Sequence, residues 1–246
     1  MEGILTKMNR EDIKPDSEYM KLVGSLLYAA LVTRPDIAFA VQSLGKHLQA
    51  GSTEHSIAAK RVLRYLKGTR EVGLKYTGKS TGSFTLVGYA DADYAGDKDN
   101  RRSTSGYTFT LSHGDNIATI DWRAKQQDVV ALSSAESELI SACSATQTAV
   151  YIRQLLMDLG FKQDEPTVIM EDNQACIAMS NNQIIQKRTK HYRCSISFCS
   201  FGISCRCIRD ESYGSYLKSA SYGINCCGSY IMIRSTSGGD ANIRMT

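Results

Sequence analysis

Three acidic positions have the residue types and settings from which cation chemistry is built. Asp91 closes the apolar run Leu86-Val87-Gly88-Tyr89-Ala90 and is followed by Asp93 and Asp97, so a strand-like segment delivers carboxylates at its end. Glu138 lies a few residues inside a helical pattern, and Asp172 follows a second short apolar segment, Thr167-Val168-Ile169-Met170. Taken singly, each has an ordinary explanation: Asp91 as a turn acid, Glu138 as an acid favoured near a helix N-terminus, Asp172 as a helix N-cap. Taken together they suggest more. If the two strands are neighbours and the helix packs across them, the three carboxylates meet at one point. Hard divalent cations take such clusters of oxygen ligands, whereas a lone buried carboxylate protonates. Two magnesium ions held this way activate water and stabilise the leaving oxygen in phosphodiester hydrolysis.

The elements that must position these residues follow from the patterning. Residues 1–16 form a polar segment. Pro15-Asp16-Ser17 is a helix-start signal, with Ser17 as cap, and the apolar residues from Tyr19 to Leu31 predict a mostly buried helix. Thr33-Arg34-Pro35-Asp36 breaks it, and Pro35 suits the first turn of a second helix, Asp36 to Leu48. A third helix is predicted from Thr53 to Lys67 with Gly68 as its stop. Ile57, Val62, Leu63, Tyr65 and Leu66 form its apolar face, and Lys60, Arg61, Arg64 and Lys67 its basic one. Beyond it the period changes. Val72–Tyr76, Phe84–Ala90, Tyr107–Leu111 and Ile117–Trp122 read as strands, the last two as a hairpin around Ser112-His113-Gly114-Asp115-Asn116. Ser133-Ser134-Ala135-Glu136 has the capping-box spacing and opens a long helix that ends at Leu159-Gly160. Thr167–Met170 is a further strand and Gln174 to Met179 a further helix. Several strands, a long helix, a strand and a helix define an α/β layer fold with its carboxylates gathered at one sheet edge.

Composition narrows the class. The chain has 246 residues, of which 42% are hydrophobic, enough for one large or two small domains with a real core. A net charge of +4 suits a polyanionic partner but equally suits ordinary solubility. No apolar run approaches the roughly 20 residues of a membrane span, and Met1 to Asp16 lacks the apolar core of a secretory signal. The expected location is therefore intracellular, with no membrane partner. Of the eight cysteines, Cys194, Cys199, Cys205, Cys207, Cys226 and Cys227 crowd into the last fifth of the chain. Their spacings match neither a zinc site with histidine partners nor a secreted disulfide framework, which marks a break in composition.

Five motifs in order carry a resemblance. Gly88-Tyr89-Ala90-Asp91-Ala92-Asp93-Tyr94-Ala95-Gly96-Asp97, then Arg102-Ser103-Thr104-Ser105-Gly106-Tyr107, then Ala131-Leu132-Ser133-Ser134-Ala135-Glu136-Ser137-Glu138, then Glu171-Asp172-Asn173-Gln174, then Arg188-Thr189-Lys190-His191 resemble the ribonuclease H domain of copia-type retrotransposon polyproteins. The segments Leu22-Val23-Gly24-Ser25-Leu26-Leu27-Tyr28 and Thr33-Arg34-Pro35-Asp36-Ile37 resemble the stretch that joins reverse transcriptase to that domain. The resemblance implies an α/β, ribonuclease H-like mixed sheet of five strands flanked by helices and preceded by a small helical segment. It also implies magnesium as cofactor, an RNA–DNA hybrid as partner, and cleavage of the hybrid's RNA strand. By position, Asp91, Glu138 and Asp172 match the family's first three catalytic, metal-binding carboxylates. Glu136 is the alternative for the second, and Asp93 would act only from behind the metal ligands. The expected organisation is a polar segment 1–16, a helical segment 17–70 resembling the end of reverse transcriptase, a ribonuclease H-like domain 71–191 and an aberrant tail 192–246.

The tail departs from the family. Where the family continues through a helix and a last strand to a fourth aspartate, this chain reads His191-Tyr192-Arg193-Cys194-Ser195-Ile196-Ser197-Phe198 and then a Cys/Ser/Gly-rich stretch. One inserted base after the His191 codon converts a coding stretch for His-Ile-Asp-Val-Arg-Tyr-His-Phe into that sequence, so a frameshifted, poorly ordered tail is expected. The fold would then be incomplete at its C-terminal end, without its edge strand, and nuclease activity weak or absent. Asp210 and Asp240 are acids of the tail, but neither sits in the expected context. A second resemblance, of another class, rests on Arg61-Val62-Leu63-Arg64, which is similar to the motif of RxLR effectors. Oomycete plant pathogens secrete these proteins and deliver them into host cells. That reading implies secretion, host proteins as partners, and suppression or triggering of host cell death.

Overall fold

The structure is a computed structural model that describes residues 17–76, 83–113, 116–181 and 203–207. The first helix, α1, spans Ser17–Val32 and is followed by a single 3-10 turn, Pro35–Ile37, by α2, Ala38–Gly45, and by α3, Thr53–Gly68. Pro35 begins the 3-10 turn, because its fixed φ suits a first turn and its missing N–H costs nothing there. The second helix is therefore shorter than the expected Asp36 to Leu48. Tyr19, Val23, Leu26, Ala30, Ile37, Val41, Leu44 and Ala59 bury a core of their own among the three helices. The expected apolar face of α3 needs correction at two positions: Ile57 and Leu63 are 51% and 42% exposed, while Ala58, Ala59, Val62, Tyr65 and Leu66 pack inward.

The sheet begins at β1, Thr85–Asp93, and continues as β2, Thr104–His113, and β3, Asn116–Gln126. After α4, Ser134–Asp158, come β4, Thr167–Glu171, α5, Gln174–Asn181, and β5, Ile203–Cys207. Val72–Tyr76, expected as a strand, lies outside the sheet; its exposure alternates, but no strand among the described residues pairs with it. The strand order is β3-β2-β1-β4-β5. β1–β2 and β2–β3 are antiparallel, β1–β4 and β4–β5 parallel, so β2 alone runs against the other four. This is the mixed five-stranded arrangement that the family resemblance implies. Its edge strand lies inside the divergent tail, where no edge strand is expected: Ile203–Cys207 pairs with β4 from Thr167↔Ile203 to Glu171↔Cys207. Met1–Asp16, the Arg188-Thr189-Lys190-His191 motif and the rest of the tail, Asp210 and Asp240 included, lie outside the described residues.

One face of the sheet carries α4. Leu86, Ala90, Tyr107, Phe109, Ile169 and Ile203 meet Leu139, Ala142, Ala145, Ala149, Ile152 and Leu156 in the main core. Alanines at 142, 145 and 149 bring the helix backbone close to the sheet, and the face tolerates this because β1 also thins where it crosses the core. Gly88 lies under the Phe109 ring, which a Cβ at that position would strike at 2.6 Å. The helical unit docks on the far side of the hairpin. Trp122 Nε1 on β3 donates to Ala30 O at 2.7 Å, and Lys46 pairs with Asp97 at 3.3 Å.

Candidate metal centre at the sheet edge

The parallel register of β1 and β4 explains why two distant aspartates meet. Tyr89 stands beside Met170, and the same register carried two residues on sets Asp91 beside Asp172. The third carboxylate comes from α4, held at the correct height by a contact one turn further along: Ser141 Oγ lies 2.8 Å from Asp91 O and 3.0 Å from Gly106 O, donating to the two strands at their shared end. Carboxylate oxygens of Asp91, Glu138 and Asp172 consequently lie within 4.8 Å of one another.

The ordinary explanations for these three acids do not fit the geometry. Asp91 is inside β1, paired with Gly106, and is no turn residue. The cap of α5 is supplied by Asn173, whose Oδ1 accepts from the N–H groups of Ala175 and Cys176 at 3.0 and 3.1 Å, so Asp172 is free of that duty. Glu138 is buried beyond the first turn of α4, and the capping role belongs to its neighbour. Glu136 accepts from Leu132 N–H at 2.7 Å while its own N–H donates to Ser133 Oγ. Glu136 thus serves the helix start, and Glu138 is the glutamate that lies with Asp91 and Asp172 in the cluster. Asp93 is not in that group; its carboxyl lies over Gly96, where an added Cβ would collide with Asp93 Oδ2.

Sequence reasoning passed over a fourth acid. Glu171, the last residue of β4, is completely buried. Its Oε1 accepts from the N–H groups of Asp172 and Asn173 at 3.1 and 3.2 Å, and its Oε2 has no hydrogen-bond partner among the described residues. Glu138 Oε2 is unpartnered in the same way. The detectable signal was strand phase: Glu171 shares a side with Ile169, which faces the α4 core.

The electrostatics follow from this crowding. Burial, followed by repulsion from Glu171, Asp91 and Asp172, pushes the Glu138 carboxyl up to about 9, against a downward pull from the Ala92 N–H. Burial also pushes Glu171 up to about 8, opposed by the Asn173 and Asp172 N–H groups and reinforced by the Asp172 and Asp91 charges. No basic group is among the causes of either shift. An all-oxygen donor set whose buried oxygens include two without a partner among the described residues is consistent with a hard divalent ion such as magnesium.

Fold and site together define a ribonuclease H-like domain. No protein-family model matches the chain. Among characterised proteins, it is 43% identical over 173 residues to the retrovirus-related Pol polyprotein from transposon TNT 1-94 of Nicotiana tabacum, covering 70% of this chain and 12% of that protein. It is 39% identical over 175 residues to the corresponding polyprotein from transposon RE1 of Arabidopsis thaliana, covering 71% of this chain and again 12% of the relative. The chain therefore spans only about an eighth of the length of these polyproteins. A third relative, secreted RxLR effector protein 161 of Plasmopara viticola, is 47% identical over 134 residues, which make up 54% of this chain and 90% of that protein. Its match lies largely in the region shared with the transposon proteins. A ribonuclease H1 isolated from compost superposes with a TM-score of 0.36 at 10% identity, covering 55% of this chain and 91% of its own; the fold assignment rests on the strand order itself. The chain belongs to the Pol polyproteins of copia-type retrotransposons.

Proposed function

We propose that this chain is a weakened ribonuclease H-like domain that binds RNA–DNA hybrids and hydrolyses their RNA strand slowly, with magnesium. The observation that carries the reading is the convergence of Asp91, Glu138 and Asp172 from two strands and a helix within 4.8 Å. Bound divalent cations supply the Lewis acidity for phosphodiester hydrolysis. The chain's own part is to hold the ligands. The β1–β4 register places Asp91 and Asp172, Ser141 locks α4 onto β1 and β2, and Asn173 takes over the helix cap so that Asp172 remains available. Activity is weakened because the family's fourth aspartate belongs to a segment that this sequence replaces from Tyr192 onward. The test is a magnesium-dependent cleavage and binding assay on an RNA–DNA hybrid with the full chain and D91N. Hybrid binding with slow cleavage that D91N removes supports the reading; a chain that binds neither magnesium nor hybrid overturns it. Sequencing the genomic locus tests the frameshift, which fails if no one-base deletion restores the family's ending.

One observation favours a second reading. The Plasmopara viticola relative named as a secreted RxLR effector is matched over 90% of its length, and Arg61, Leu63 and Arg64 are exposed on α3, with Val62 turned inward. Under this reading the chain is secreted by a pathogen, enters host plant cells and acts on host proteins to suppress or trigger cell death. Expression in leaf tissue, with and without alanines at Arg61, Leu63 and Arg64, separates the two. Cell-death effects that survive D91N favour the effector, and their absence favours the nuclease domain.

A further inference from the structure

The cluster at the sheet edge contains one carboxylate more than the three that meet within 4.8 Å. Glu171 ends an otherwise apolar strand, is wholly buried, and is oriented by two backbone N–H groups on Oε1, which leaves Oε2 without a partner among the described residues. A buried carboxylate oxygen with no donor is costly, and the cost is normally removed by a hydrogen bond or a positive charge. Neither is supplied to Oε2 by the described residues. The charged groups acting on Glu171 are Asp172 and Asp91, both acidic, and Glu171 is in turn the charge that bears most heavily on Glu138, whose Oε2 is also orphaned. Two buried glutamates, each with an oxygen that lacks a hydrogen-bond partner among the described residues, thus stand close to Asp91 and Asp172.

We infer that Glu171 is a further ligand of the divalent-cation site, its Oε2 acting with Glu138 on the side of the cluster that faces α4. Its position outside the 4.8 Å group is compatible with this, because two cations in such a site stand roughly 3.5–4 Å apart and their ligands spread accordingly. The assignment gives the chain a fourth carboxylate from within β4, independent of anything beyond His191. It rests on the reading of Asp91, Glu138 and Asp172 as a cation site.

The test is calorimetric titration of the full chain with MnCl2 at constant ionic strength, on the wild type and on E171Q, E171D and D91N, paired with thermal melting in EDTA and in excess MnCl2. Ligation predicts that E171Q binds manganese at least tenfold more weakly and loses most of the manganese-induced rise in Tm. In EDTA at pH 9 it should melt above the wild type, because there the buried wild-type carboxyl must ionise and the amide need not. E171D, which keeps the charge but withdraws it by one methylene, should also bind more weakly. A glutamate that matters only for packing would alter the EDTA melt and leave the manganese increment intact. Wild-type manganese affinity in E171Q, together with loss in D91N, overturns the role of Glu171 and leaves the three-carboxylate site standing. Absence of manganese binding by the wild type overturns both. Failure of both Glu171 variants to fold in EDTA also overturns the inference, since it would make the residue a structural requirement.

Discussion

The helical unit and the sheet edge both bury acids, and they treat them in opposite ways. In the helical unit Asp36 is 5% exposed and forms a forked pair with Arg34, with Nη2 to Oδ2 at 2.6 Å and Nε to Oδ1 at 2.9 Å. The remaining guanidinium donors are used as well: Nη1 reaches Thr69 O at 3.1 Å, Nη2 also reaches Thr69 Oγ1 at 2.7 Å, and the group lies 5.7 Å from the centre of the Tyr65 ring. The pair ties the turn after α1 to the end of α3, and its cation comes from the chain. At the sheet edge Glu138 and Glu171 are as deeply buried, yet the groups that act on them are like charges and a few N–H donors. One buried acid is fully satisfied and two others keep oxygens without a partner among the described residues, a contrast consistent with a divalent-cation site at the sheet edge.

The largest effect separating the two regions should come from removing each cation in turn. Replacing Arg34 with methionine strands Asp36 in the helical core and is expected to cost about 3–5 kcal/mol, as breaking a buried pair does; urea unfolding followed by circular dichroism measures it. The corresponding act at the sheet edge, removing divalent ions with EDTA, should cost only the linkage term, about 2.7 kcal/mol at a hundredfold excess of ion over Kd. D91N should abolish that difference while leaving the Arg34 pair untouched. If EDTA has no effect on the wild-type melt, the contrast between the regions fails.

A smaller effect concerns pH. Glu138 and Glu171 have folded values near 9 and 8 against ordinary values near 4.5. As pH rises past about 4.5 the unfolded chain releases their protons while the folded chain retains them, so the unfolded state binds fewer protons and stability falls. The decline should continue to about pH 9, flattening once both groups have ionised in the folded state. In EDTA the melting temperature is therefore expected to drop between pH 5 and pH 9, and saturating magnesium should flatten the slope. E138Q should melt above the wild type at pH 8 in EDTA, by the equivalent of on the order of 1–3 kcal/mol. An EDTA melt that rises across this range would show that the two glutamates are not held protonated.

Much of this contrast was legible in the sequence, on one side only. Asp91, Glu138 and Asp172 stood out because each sits at a change of pattern, and a strand end or helix start is readable from apolar spacing. The edge strand Ile203–Cys207 was not, because its segment departs from the family and pairing is decided by whichever strand edge is open, here β4. Val72–Tyr76 shows the converse, an alternating segment that pairs with no strand among the described residues. The Arg34–Asp36 fork was hidden because Thr33-Arg34-Pro35-Asp36 reads as a helix breaker, and Thr69, which completes it, lies 35 residues away from Arg34. Likewise α3 is capped by Ser52 with His55 in the place usually taken by a glutamate or glutamine. Local patterns announce their own ends, whereas what a buried charge meets depends on contacts far along the chain.

The smallest expected effect isolates what holds the site together apart from its charges. Ser141 donates to Asp91 O and Gly106 O from a fully buried position, and replacing it with alanine removes a hydroxyl without adding volume. The hydroxyl shares its one proton between the two carbonyls, so the loss should be about 1 kcal/mol. The informative part is where that loss appears. If Ser141 only glues α4 to the sheet, S141A lowers the melt equally in EDTA and in magnesium. If it sets the height of Glu138 over Asp91, one turn earlier on the helix, the magnesium increment shrinks as well, because the ligand set is then held less closely. Arg34 offers the control: no cluster of metal-ligating groups lies beside it among the described residues, so a milder change there, such as Thr69→Val, should shift both melts by the same amount.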